Sequence, residues 1–89
     1  MKHAEVTLCN KLGLHARAAS RLVQKASEFS SAVWLQREDR RVNAKSIMGV
    51  LMLAAPMGTE LRLECDGPDE DEAMAALVQL IRDRFGEDQ

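Results

Sequence analysis

Gly13-Leu14-His15-Ala16-Arg17 is the stretch whose residue types and spacing could do chemistry. An imidazole stands where an apolar helical period begins, with a guanidinium two residues on. A neutral imidazole can attack phosphorus, and a helix start holds anions on its unpaired N–H groups and positive dipole end. At that place the N–H groups of Ala16, Arg17 and Ala18 would point toward the ring, and their field favours its neutral form. A phosphoryl group on the ring would carry up to two negative charges. The same N–H groups and Arg17 could hold them through charge-assisted hydrogen bonds.

Spacing alone leaves other roles open, because a lone histidine ahead of a helix also serves as a cap or a surface residue. Metal binding is disfavoured: His3 is the only other histidine, and Cys9 and Cys65 stand far apart. No metal and no cofactor is expected. General-base catalysis would need a nucleophile and a pocket that so short a chain does not supply.

The elements that must position His15 follow from periodicity. Ala4, Val6 and Leu8 alternate with Glu5, Thr7 and Cys9, a half-buried strand. Asn10 to Leu14 is a loop in which Gly13 is free to take a positive φ. Ala19, Leu22, Val23, Ala26 and Phe29 then form one helical stripe, with Arg17, Arg21, Gln24 and Lys25 opposite. Ala32–Gln36 returns to strand chemistry, Arg37–Arg41 makes a hairpin, and Arg41–Ala44 is a short return strand. Ser46 is suited to cap a short apolar helix, Ile47–Leu53, which Pro56 and Gly58 stop. Thr59–Asp66 alternates again. Asp69, with Glu72 three residues on, has the spacing of a capping box for a last helix whose stripe is Ala73, Leu77, Leu80 and Ile81, with Arg84 or Phe85 extending it.

This order, β-α-β-β-α-β-α, predicts one α+β domain over residues 1–89: an open-faced sandwich of a four-stranded antiparallel sheet with three helices on one face. Cys9 and Cys65 should point to opposite sides of that sheet, which excludes a disulfide between them. A chain of 89 residues builds one small core, burying about 60–65% of its unfolded surface.

A net charge of −2 excludes nonspecific nucleic-acid binding as a main task. Lys11, Arg17, Arg21, Lys25, Arg37, Arg40, Arg41 and Lys45 lie in the first half, while acidic residues crowd Glu60 to Asp88. This asymmetry suggests a basic face for an acidic partner or a phosphate, although scattered solvated charge explains it equally well. There is no apolar stretch of the roughly 20 residues a membrane helix needs, and Met1–Glu5 lacks a signal-like run. A cytoplasmic location without membrane insertion is expected.

The His15 segment, followed about thirty residues later by Asn43-Ala44-Lys45-Ser46-Ile47-Met48-Gly49-Val50-Leu51, resembles the two signature segments of the HPr family, histidine-containing phosphocarriers of the sugar phosphotransferase system. The order of elements agrees over essentially the whole chain. The resemblance implies that His15 is the phosphorylated residue, Arg17 its partner, and Ser46 a regulatory serine modified by HPr kinase/phosphorylase in bacteria that have it. It implies enzyme I, itself charged by phosphoenolpyruvate, as donor and a IIA protein or domain as acceptor, in a sugar or nitrogen-related branch, with the chain acting as a monomer. Ile47, Met48 and Met52 then resemble an exposed docking patch with Ser20, Arg21 and Lys25 as its polar rim. Ala18 stands where most members have proline, which adds an N–H donor to the first helical turn. Two competing classes are a purely regulatory protein of the same fold, which needs no histidine nucleophile, and an RNA-binding α+β domain. The latter would need stacking aromatics on the open sheet, where Trp34 stands alone.

Overall fold

The computed structural model describes residues 1–88. Its elements run β1 (Lys2–Thr7), α1 (Ala16–Ser27), β2 (Ala32–Arg37), β3 (Arg40–Asn43), α2 (Ile47–Met52), β4 (Glu60–Asp66) and α3 (Glu70–Arg82). The strands form one sheet in the order β1-β4-β2-β3, every neighbour antiparallel. This is the α+β architecture expected from the pattern, with boundaries shifted by a residue or two.

Register explains why the alternation works. Val6 lies opposite Leu61, Ala4 and Leu35 both lie opposite Leu63, and Val33 lies opposite Cys65. Every inward residue of one strand therefore meets an inward residue of the next, and a slip by one would turn all of them to water. Over this face lie Leu22 and Ala26 of α1, Val50 of α2 and Leu77 and Ile81 of α3, all buried. Each large aliphatic side chain removed from water contributes about 1.5–3 kcal/mol. Met74 joins the core although it was not in the expected stripe, whereas Leu80 is only partly buried.

The thiols are free, Cys9 exposed and Cys65 buried. Burial pushes the Cys65 thiol up to about 11, with the nearby Glu70 and Asp69 charges adding to it.

Two expectations give way to contacts between distant segments. Asp69 does occupy the N-cap of α3, but no side-chain cap bond forms. Its carboxylate instead accepts from the Ser30 and Ser31 N–H groups, both at 2.9 Å, and from the Ser31 hydroxyl at 2.5 Å. The acid thus tethers the α1–β2 loop to the start of α3. Hydrogen bonding by the Ser31 hydroxyl, then by the Ser30 N–H, holds it below the usual carboxylate range against the opposing effect of desolvation.

The basic residues do not form one face. Arg37 donates to the Leu53 and Ala54 carbonyls at 2.8 and 3.0 Å, and Arg40 to that of Met52 at 2.8 Å. The hairpin therefore covers the C-terminus of α2, where free carbonyls and the negative dipole end favour cations. Arg41 lies 4.2 Å from the Trp34 ring centroid on the open face and pairs with Glu64 at 2.9 Å. Lys45 donates to the Phe29 carbonyl.

After α3, the structure selects one of the two residues expected to extend the buried stripe. Phe85 is the buried residue and Arg84 is exposed. Arg84, Phe85 and Gly86 all take positive φ, at 57°, 56° and 81°. Left-handed conformation costs a non-glycine residue about 1–2 kcal/mol. Burial of Phe85 and the bond from the Arg21 guanidinium to the Phe85 carbonyl offset that cost. The turn sends the following residues back toward the start of α1.

Candidate functional site

His15 is the N-cap of α1, with extended backbone (φ −83°, ψ −178°). Its carbonyl accepts the first helical bond, from Ala19 N–H at 2.8 Å, while its ring makes no cap bond. The ring is thus spared for other chemistry. Position is set from behind by Gly13 (φ +66°), where a Cβ would lie 2.5 Å from the Ala55 carbonyl oxygen. The Leu14 N–H donates to that same oxygen at 2.8 Å. Only glycine allows the loop this close, and the contact anchors the residue before His15 to the segment following α2.

The ring's partner is Glu87. His15 Nε2 lies 2.5 Å from Glu87 Oε2, a contact across 72 positions of chain. Asn10, fully buried, bridges to the same carboxylate: its Nδ2 donates to Glu87 Oε1 at 2.9 Å and to the Gly13 carbonyl at 2.7 Å. Asn10 Oδ1 is buried with no partner among the described residues, a cost of about 1–3 kcal/mol. The reverse amide orientation would set that oxygen against two acceptors, so the bridge dictates which way the amide points. Burial pushes the Glu87 carboxyl up, but hydrogen bonds from Asn10 and His15 and the charges of His15 and Arg21 outweigh it and hold the group below the usual range. An ionised carboxylate can only accept, so Nε2 is the donor in this contact; in the neutral form of the ring Nδ1 would then carry the lone pair.

Around the ring, Lys11, Leu12, Ala16, Arg17, Arg21 and Glu87 line an open groove of about 760 Å³. Arg17 is exposed and makes no hydrogen bond or ion pair among the described residues. Ala16 is exposed as well, whereas Ala18 is fully buried and lies one layer behind. Arg21, expected on a polar rim, is committed to the Phe85 carbonyl; Ser20 beside it is half-buried.

On the α2 side, Ser46 is an exposed N-cap whose hydroxyl accepts from the Gly49 N–H at 3.3 Å. Ile47, Met48 and Met52 are 40%, 66% and 59% exposed, and Leu12 and Met57 add two further exposed apolar side chains. Asn10, Leu12, Met57 and Glu87 were missed in the sequence. No local pattern marks Asn10 and Glu87, since their partners come from distant segments.

Fold and site together define a small α+β domain that presents one histidine at a helix start, beside a free arginine and backed by a carboxylate. Comparison with known proteins gives that class a family. A family model described as the phosphotransferase system HPr component phosphorylation site matches residues 2–83. The chain is 58% identical over 87 residues to phosphocarrier protein HPr of Cupriavidus necator, and 55% identical over 87 residues to that of Neisseria meningitidis, covering 98% of each chain in both comparisons. Among solved structures it is similar to HPr from Thermoanaerobacter tengcongensis (TM-score 0.96, 47% identity, all of both chains). It is also similar to HPr from Bacillus anthracis (TM-score 0.87, 35% identity, 90% of this chain and 95% of the other). This chain belongs to the HPr family, the phosphocarrier proteins of the phosphotransferase system.

Proposed function

We propose that His15 carries the phosphoryl group, accepting it from phosphorylated enzyme I, ultimately from phosphoenolpyruvate, and passing it to a IIA protein or domain. The observation that supports this most directly is the ring itself: it sits at the N-cap without capping, one nitrogen held by Glu87 and the other free. Arg17 supplies a guanidinium unpaired among the described residues, and Ala16 and Arg17 are exposed residues of the first turn, whose N–H groups have no helical acceptor, with Ala18 behind them. These can hold the phosphate oxygens without binding them so tightly that onward transfer stops. His15 is both nucleophile and leaving group, so the protein is a carrier whose partners complete each site rather than a free-standing enzyme. It acts in the cytoplasm, as one unit spanning residues 1–89 and as a monomer.

Ile47, Met48 and Met52, with Ser20 and Arg21 toward α1, form the docking face. Their exposed apolar groups suit partners that must bind and leave. Ser46 is the regulatory position: its hydroxyl is exposed, and phosphate there would meet the positive end of α2. HPr kinase/phosphorylase is the modifying partner where present.

The test is incubation of the full chain with enzyme I and phosphoenolpyruvate, followed by mass spectrometry that locates acid-labile phosphate. Label on His15, lost in His15→Ala, is the expected result. Label elsewhere would overturn the assignment.

A further inference from the structure

Glu87 lies four residues past the segment matched by the family model, which ends at residue 83. Yet it makes the shortest contact of the His15 ring, and the fold commits considerable structure to keeping it there. Three left-handed residues reverse the chain, Phe85 is buried beneath them, and Arg21 holds the Phe85 carbonyl. Asn10, with no solvent exposure, spends its amide on the Glu87 carboxylate and leaves its own oxygen unpaired. A surface tail carboxylate with no role would not need a buried amide to aim it.

Building on the assignment of His15 as the carrier, we propose that Glu87, aimed by Asn10, is a positioning residue that keeps the ring proton on Nε2 throughout the phosphoryl cycle. In the resting site the Nε2–H donates to Glu87 Oε2 and Nδ1 presents its lone pair. On acceptance, a bond forms from Nδ1 to phosphorus while the bond from phosphorus to the donor breaks, its electron pair leaving with the donor. The ring becomes a phosphoimidazolium, and its positive charge faces the Glu87 carboxylate. On delivery the N–P electron pair returns to Nδ1, and the ring leaves neutral with its proton where it began. No proton is gained or lost at either step, so neither partner need supply an acid or a base to this ring. The arrangement parallels other histidines whose reactive nitrogen is chosen by the hydrogen bond the second nitrogen makes.

The experiment uses the full-length chain, 15N-labelled at histidine, as wild type, Glu87→Ala and Glu87→Gln, with enzyme I and phosphoenolpyruvate as donor. Ring 15N shifts report the tautomer, rapid-quench assays the rate of transfer, and thermal melts confirm that each variant is folded. The wild type shows the Nε2–H tautomer before transfer and phosphate on Nδ1 after it. Glu87→Ala shows mixed tautomers and accepts phosphate about tenfold more slowly, the loss of one charge-assisted hydrogen bond. Glu87→Gln, whose amide oxygen still accepts from Nε2–H, keeps the tautomer and lies between the two in rate. An unchanged tautomer and rate in Glu87→Ala, with wild-type label still on His15, overturns the proposal but not the carrier assignment. A faster Glu87→Ala also overturns it, since the carboxylate would then merely block the anion groove. Wild-type label off His15 overturns the assignment and this proposal together.

Discussion

Replacing Gly13 with alanine tests how firmly the loop before His15 is built. At φ +66° the new side chain pays about 1 kcal/mol for left-handed backbone. Its Cβ would stand 2.5 Å from the Ala55 oxygen and 2.8 Å from Pro56 C and Cα, all backbone atoms that cannot rotate away. Relief requires the 55–56 segment to retreat, losing the 2.8 Å bond from Leu14 N–H to Ala55 O, worth about 1 kcal/mol. Overpacking adds about 1–3 kcal/mol. The expected loss is therefore roughly 3–5 kcal/mol, a large part of the ~5–15 kcal/mol that holds a domain together. Gly58 is the internal control: its φ is +89° but a Cβ there meets nothing within 4 Å, so Gly58→Ala should cost only ~1 kcal/mol. Urea unfolding followed by far-ultraviolet circular dichroism and by the single tryptophan, Trp34, measures both. At about 4–8 °C per kcal/mol, melting should fall by ~5 °C for Gly58→Ala and by more than ~12 °C for Gly13→Ala. A difference between the two variants below ~1 kcal/mol would refute the argument, because the 55–56 backbone would then be yielding rather than a fixed wall.

Asp69 predicts a pH effect: its carboxyl is depressed in the folded state, so its stabilisation is present above the unfolded value of about 3.9 and is lost as pH falls through the folded value. In Asp69→Asn, urea midpoints should consequently change less with pH below about 4 than in the wild type; equal pH dependence would contradict this. Arg37→Met removes two bonds to the C-terminus of α2 and should lower stability by ~1–2 kcal/mol; a thermal melt within ~0.5 kcal/mol of wild type would deny the hairpin its capping role. Ser46→Asp should keep the helical circular dichroism signal, since a negative group suits the start of α2, while slowing transfer from enzyme I; a large loss of helical signal would show that it acts by unfolding instead.

Much of this was readable in the chain. Alternation placed Val6, Val33, Leu35, Leu61 and Leu63 on the buried face, and the 3.6-residue period placed Leu22, Ala26, Leu77 and Ile81 beneath the helices. Periods of two and 3.6 are local consequences of backbone geometry, so neighbouring residues suffice to reveal them. His15 at a helix start and Ser46 at another were legible for the same reason. Asp69 shows where locality misleads. Its spacing to Glu72 fits a capping box, but the Ser30 and Ser31 groups, almost forty positions away, compete successfully for the carboxylate.

What the tertiary structure alone decided is the company His15 keeps. The approach of Glu87 depends on a left-handed turn at Arg84 and Phe85, residue types for which no local rule predicts positive φ. That turn persists because Phe85 finds a place in the core and Arg21, from another helix, holds its carbonyl. Likewise the basic residues of the first half look alike in sequence, yet packing sends Arg37 and Arg40 to a helix end, Arg41 to Trp34, and leaves Arg17 free beside the ring. An imidazole at a helix start is a property of the sequence. The carboxylate at its Nε2 belongs to contacts across the whole chain, because only a folded core can hold Glu87 against a ring 72 residues away.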